Sequence, residues 1–182
     1  VPFKHLGISE RRAATMAGII DPQGAMISSP GLLHNAEETP QGSFAHLKLQ
    51  GVMRSQDGMS SRGIASLVND IHAANSNRNI QGILLEANTG GGESLAGDML
   101  YAALNDSPKA VVVYAHRLAS AGIRSTVAAD EIIASNQGAG FGSIGTDVSL
   151  SKGFRGQYKE YVEDIYASKS TRKNGGFRAY LE

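Results

Sequence analysis

From Phe44 to Val52 apolar and polar side chains alternate, with Leu47 and Leu49 set against His46, Lys48 and Gln50. That two-residue period predicts a half-buried strand over residues 44–52. The period then changes. Ile64, Leu67, Val68 and Ile71 fall at the i, i+3, i+4, i+7 spacing of a helix face, with Ser60 or Ser61 placed to cap it. An apolar run over 80–87 predicts a second strand, ending in a loop from Asn88 through Gly90, Gly91 and Gly92. Leu95, Ala96, Met99, Leu100 and Ala103 share one face of a helix over 93–104. Asp106, Ser107 and Pro108 then turn the chain into the apolar run 110–115, a third strand. A further helix follows Ser120 and runs through Thr126 to Ala129, then a short buried strand at 131–134 and a glycine-rich stretch at 138–145. Strands alternating with helices in this way predict an α/β fold whose mainly parallel sheet is built from right-handed βαβ units.

Residues 1–43 have a different texture, with prolines at 22, 30 and 40 punctuating short apolar pieces. They read as an N-terminal extension or arm, which leaves 44–182 as one principal domain. The chain starts at Val1 and stops at Glu182 within continuing structure, so processing or truncation, above all at the C-terminus, is expected.

Composition narrows the chemistry. Seventeen basic and 17 acidic side chains cancel, with 41% hydrophobic and 19% charged residues, an ordinary globular balance unlike that of a basic nucleic-acid binder. The chain has no cysteine, which removes disulfides and thiol catalysis. Histidines stand singly, without the close His/Glu spacing of a zinc hydrolase, so no metal is expected. No apolar stretch approaches the roughly 20 residues that span a bilayer.

The candidate nucleophile is Ser120, in Ala119-Ser120-Ala121-Gly122 directly after the apolar run. A serine on a sharp strand-to-helix turn presents its hydroxyl and aims backbone amides at a target. The same position suits a serine that merely caps a helix. All five histidines (His5, His34, His46, His72, His116) precede Ser120, so a histidine base later in the chain is excluded. Lys152, Lys159, Lys169 and Lys173 do follow it, which points to a Ser-Lys pair. A lysine acting as base must be uncharged, a state that burial favours. An amide of the 90–92 glycine run, together with that of Ala121, would form an oxyanion hole; otherwise the glycines mark only a tight turn. His116 and Ser143 fit structural roles in turns beside the cleft.

Three motifs carry a resemblance. Thr89-Gly90-Gly91-Gly92 is similar to Ser-Pro-Gly-Gly, Ala119-Ser120-Ala121-Gly122 to Ala-Ser-Ala/Gly-Gly, and Gly142-Ser143-Ile144-Gly145 matches Gly-Ser-Ile-Gly in full. In this order and spacing they resemble the signal-peptide peptidase A family, which includes phage prohead proteases of the lambda type. The resemblance extends over residues 44–176 and implies a Clp/crotonase-like fold and a serine endopeptidase with a Ser-Lys dyad. It implies Ser120 as nucleophile and a base in the segment around Lys173, reached by a two-residue insertion after Tyr166, with Lys169 as runner-up. Gly91 and Ala121 would hold the oxyanion, and Gly90, Gly92 and Gly122 would contact substrate, with no cofactor. By the same resemblance the substrates are scaffold or capsid protein and the chain itself. The assembly is then a homo-oligomeric ring in the host cytoplasm or procapsid, with extended substrate pairing to a strand edge. Membrane association through segments absent from this chain is the alternative. Gly90 replaces the family's proline, and Ile123 and Arg124 replace its aromatic residues, which alters the pocket. Rival readings are a bacterial protease closer to signal-peptide peptidases, a crotonase-type acyl-CoA enzyme working with carboxylates, and a noncatalytic assembly protein.

Overall fold

The structure is a computed structural model that describes residues 25–28, 30–59, 61–151, 162–170 and 172–173. Its centre is the strand Ala110–Ala119 (β4), in which Val111, Val112, Val113, Tyr114 and Ala115 are buried in succession. Consecutive buried residues require cover on both faces of the sheet, as is usual for parallel strands. On one side β4 pairs with Ile80–Gly92 (β3), which pairs with Ser43–Met53 (β2), which pairs with the short Met26–Ile27 (β1). On the other side it pairs with Glu131–Ala134 (β5) and, further along, with Gly140–Gly142 (β6). All of these pairings are parallel.

The crossovers are the helices Ile64–Ser76 (α2) and Ser94–Asn105 (α3), with a short helix Pro30–His34 (α1) before β2 and another, Ala121–Thr126 (α4), after β4. Ile64, Leu67, Ile71 and Ala74 of α2 and Ala96, Leu100 and Leu104 of α3 form one core with the sheet residues Leu47, Leu49, Ile83, Leu85 and Val113. Asp147–Ser151 (β7) and Val162–Tyr166 (β8) form a separate antiparallel pair.

The alternation of strands and helices matches the sequence pattern, with four local differences. Asn88 to Gly92 is not a loop but the end of β3. It pairs with β2 (Gln50 with Asn88, Val52 with Gly91) and with β4 (Asn88 with Arg117, Thr89 with Leu118), and a register shift on each side accommodates the glycines. Helix α2 is preceded by Gly63 rather than capped by Ser61, while Ser60 lies outside the described residues. A Cβ at Gly63 would fall 2.3 Å from the Gln56 carbonyl carbon, and its N–H instead donates to Asp57 Oδ1 at 2.5 Å. Helix α4 ends at Thr126, short of Ala129. The Ser125 and Thr126 hydroxyls both donate to the Gly122 carbonyl, at 3.0 and 2.9 Å, a local alternative to continuing the helix.

The fourth concerns the N-terminal extension. Its first 24 residues lie outside the described residues, but within 25–43 β1 pairs with β2, and Leu33 is buried in the core. Asn77 Nδ2 donates to the Leu33 carbonyl at 3.1 Å and to Thr39 Oγ1 at 3.0 Å, tying this segment to the end of α2.

Candidate active site

The polypeptide leaves β4 through Ser120, whose φ of 51° and ψ of −120° lie in a region that non-glycine residues avoid. Such strain, of order 1–3 kcal/mol, persists only where neighbours impose it. Here the Ser120 N–H donates to the Gly142 carbonyl at 3.1 Å, and the Arg124 N–H to the Ser120 carbonyl at 3.2 Å. The side chain makes no capping bond to the helix. It is left half-buried with its oxygen facing Lys173 Nζ, which donates to Ser120 Oγ at 3.3 Å. The hydroxyl also approaches the Gly145 carbonyl at 3.5 Å. These contacts are at the long end of the hydrogen-bond range, as catalytic pairs often are before substrate tightens them.

Lys173 is only 7% exposed, an unusual position for a lysine. Its seat is a pair of turns: the Ser170 N–H donates to Ala167 O at 2.8 Å, and the Lys173 N–H to Ser170 O at 3.1 Å. Ser170 Oγ accepts from the Thr146 N–H at 3.2 Å, joining the lysine segment to the 142–145 loop. The amine also reaches the carbonyl of Ser143, at 3.4 Å; Ser143 itself is exposed and supplies only backbone here. Lys169 is exposed and makes no such approach. Lys152, Lys159, Asn174 and Gly175 lie outside the described residues.

Gly91 sits directly beneath the turn. A Cβ there would fall 2.7 Å from the Ala119 carbonyl oxygen and from Ser120 Cβ, and 2.9 Å from the Ala121 nitrogen, at a φ of +94° that side chains resist. Gly91→Ala is therefore expected to destabilise the fold by about 1–3 kcal/mol, seen as a lower urea midpoint, and to displace Ser120. The Ala121 N–H, first in α4, has no acceptor within its helix. The Gly91 N–H, by contrast, donates to Thr89 Oγ1 at 3.0 Å, and that hydroxyl donates to the Gly51 carbonyl at 2.6 Å. Thr89 is buried; the sequence marks it only as the first position of the Thr89-Gly90-Gly91-Gly92 motif, with no role for its hydroxyl. Gly122 is buried against the Thr89 methyl.

Ser120 lies between two clefts. The smaller, about 290 Å³, is bounded by Gly92, Ser94, Ala121, Ile144 and Gly145. Arg124 borders it but is paired with Asp98 of α3. The larger, about 630 Å³, is bounded by Val52, Asn88, Gly90, Arg117 and Lys173. A third cleft, about 880 Å³, follows the edge of β2 that β1 leaves open; it shares Gly51 and Val52 with the second but does not reach Ser120.

His116 turns away from this chemistry. Its Nε2 meets Glu86 Oε1 at 3.2 Å, while His46 Nε2 meets the other carboxylate oxygen at 3.0 Å and Ser28 Oγ lies 3.1 Å from His46 Nδ1. Burial pushes the Glu86 carboxyl up, but hydrogen bonds from His116 and His46 and the nearby positive charges of His46 and Lys48 outweigh it and hold it below its usual value of 4.5. A carboxyl held down in the folded state stabilises fully above its unfolded value and loses that contribution as pH falls through the folded one. Glu86→Gln should therefore lower the urea midpoint at neutral pH and flatten its decline below pH 4.5.

Among the described residues, no group of three or more His, Cys, Asp or Glu could hold a metal ion, and no helix is long and apolar enough to cross a membrane. No protein-family model and no curated protein sequence matches the chain. Among solved structures, a mutant of the 1510-N membrane-bound stomatin-specific protease aligns with a TM-score of 0.53 and 18% identity over 76% of this chain and 60% of that one. ClpP1 from Listeria monocytogenes aligns with a TM-score of 0.41 and 22% identity over 46% of each chain. An enoyl-CoA hydratase from Shewanella pealeana gives 0.44 and 14% over 85% of this chain and 77% of its own. The chain thus covers less than two thirds of the stomatin-specific protease and of ClpP1. At these identities the likeness concerns the fold, which is the Clp/crotonase-like α/β fold.

Proposed function

We propose that the chain is a serine endopeptidase in which Ser120 is the nucleophile and Lys173 the general base. The observation that carries this reading is the 3.3 Å approach of the Lys173 amine to the Ser120 hydroxyl, on a strained turn and with the lysine buried. In free-base form, Nζ takes the proton from Oγ as Oγ adds to the peptide carbonyl carbon. The resulting oxyanion is met by the N–H groups of Ala121 and Gly91, worth a few kcal/mol to the transition state. Because the Gly91 N–H is engaged with Thr89 Oγ1 when no substrate is bound, substrate must share or displace that bond. Collapse of the intermediate breaks the C–N bond, and the leaving amine receives the proton from Nζ. Water then attacks the acyl ester with Nζ again as base, restoring Ser120. The carbonyls of Ser143 and Gly145 lie where they would steady the protonated amine and the hydroxyl.

The motif resemblance favours the phage prohead type within this class, with scaffold or capsid protein and the chain's own ends as substrates. A homo-oligomeric ring and a site of action in the procapsid or host cytoplasm belong to the same reading. Extended substrate would run toward the open edge of β2, whose cleft meets the site at Gly51 and Val52. The test is hydrolysis of fluorescein-labelled casein by the purified chain. Acyl-CoA thioester turnover that survives Ser120→Ala, without peptide hydrolysis, would favour the crotonase reading instead.

A further inference from the structure

The larger cleft beside Ser120 has a chemical bias that the proposed hydrolysis does not use. The register between β3 and β4 shifts after Ala87 and Ala115, so that Asn88 pairs with Arg117 and His116 is the extra residue. Such a bulge can set two consecutive side chains on one face of the sheet. His116 reaches Glu86, and the Arg117 guanidinium lies over Gly90, where a Cβ would fall 3.4 Å from Nη2 and 3.6 Å from Cζ. Glu86 and Gly90 are on the same side of β3, so the bulge delivers the arginine to the cleft floor.

The two neighbours differ in how their charge is met. His116 is matched by Glu86. Among the described residues no carboxylate pairs with Arg117, which is exposed, and no acidic side chain lines the cleft. On the opposite flank Arg124 is already tied to Asp98. A planar fork of donors, facing a cleft that also contains the nucleophile and has no anion among the described residues, suits a carboxylate. Asn88 adds an amide able to donate to the same group.

We infer that the cleft on the Lys173 side of Ser120 binds an acidic side chain of the substrate peptide, Asp or Glu, through the guanidinium of Arg117. That this residue flanks the bond to be cut rests on Ser120 being the nucleophile; the binding preference itself does not. Arg117 thus selects substrate, and takes no part in moving protons.

The experiment measures binding to the Ser120→Ala protein, so that no peptide is consumed. Fluorescent pools of short peptides, each with one position fixed as Glu, Gln or Lys and the others random, are titrated by anisotropy. At one position the Glu pool should bind about three- to tenfold more tightly than the Gln pool, the range for a partly solvated charge-assisted pair. The advantage should shrink in high salt, vanish in Ser120→Ala/Arg117→Gln, and pass to the Lys pool in Ser120→Ala/Arg117→Glu. Equal binding of Glu and Gln pools at every position, or a Glu preference that survives Arg117→Gln, overturns the inference. A preference that depends on Arg117 in a chain that hydrolyses no peptide supports the inference and overturns the peptidase reading alone.

Discussion

Ser120→Ala is expected to reduce peptide hydrolysis by at least about 10⁴-fold in kcat/KM, the scale on which removal of a catalytic serine acts. The effect should be almost wholly chemical. The Ser120 hydroxyl is half-buried, and its two contacts are long, so its loss removes little folding energy. Alanine occupies the same backbone position, leaving the bond from the Ser120 N–H to Gly142 and the start of α4 in place. The urea midpoint of the variant should therefore stay within about 0.5 kcal/mol of wild type in free energy. Activity within tenfold of wild type would remove Ser120 from the reaction.

Lys173→Met should cost about 10²- to 10⁴-fold in kcat, the usual contribution of a positioned general base, with KM little changed. Methionine retains the unbranched stem and volume while deleting the amine. Lys173→Arg should fail to restore activity, because a guanidinium does not release its proton. Lys169→Met is the control: Lys169 is exposed on the adjoining turn, and its loss should leave the rate unchanged. A kcat loss in Lys169→Met equal to that in Lys173→Met would place the base elsewhere.

What the sequence made legible was whatever depends on neighbours along the chain. The spacing of Ile64, Leu67 and Ile71 defined α2, and the unbroken apolar run at 110–115 marked the central strand, because periodicity is a local property. Ser120 was legible for the same reason, as a serine placed where a buried strand must turn. The glycines at 90–92 misled because they carry a turn signal, whereas β2 and β4 extend the sheet past them through register shifts that no local pattern encodes.

Contacts between distant segments were harder to read. Spacing alone left Lys169 and Lys173 as rivals, and what separates them is the loop at 142–146, where Ser170 and Gly145 meet and the Lys173 stem passes 3.4 Å from a Cβ built on Gly145. The Glu86 pairing with His46 and His116 depends on three strands in register, so each histidine looked isolated in sequence. Thr89 was legible only as a motif position, because its methyl and hydroxyl act on Gly122, Gly51 and Gly91, which converge only in the folded sheet.

The coupling of the buried amine to the serine hydroxyl is tested most directly by covalent labelling. The chain is treated with a fluorophosphonate probe, digested and mapped by mass spectrometry, alongside Lys173→Met and Lys169→Met. The adduct should appear on the peptide containing Ser120 in wild type and Lys169→Met, and should be absent or formed at least about a hundredfold more slowly in Lys173→Met. No adduct at Ser120 in the wild-type chain, or equal labelling rates with and without the Lys173 amine, would contradict the dyad.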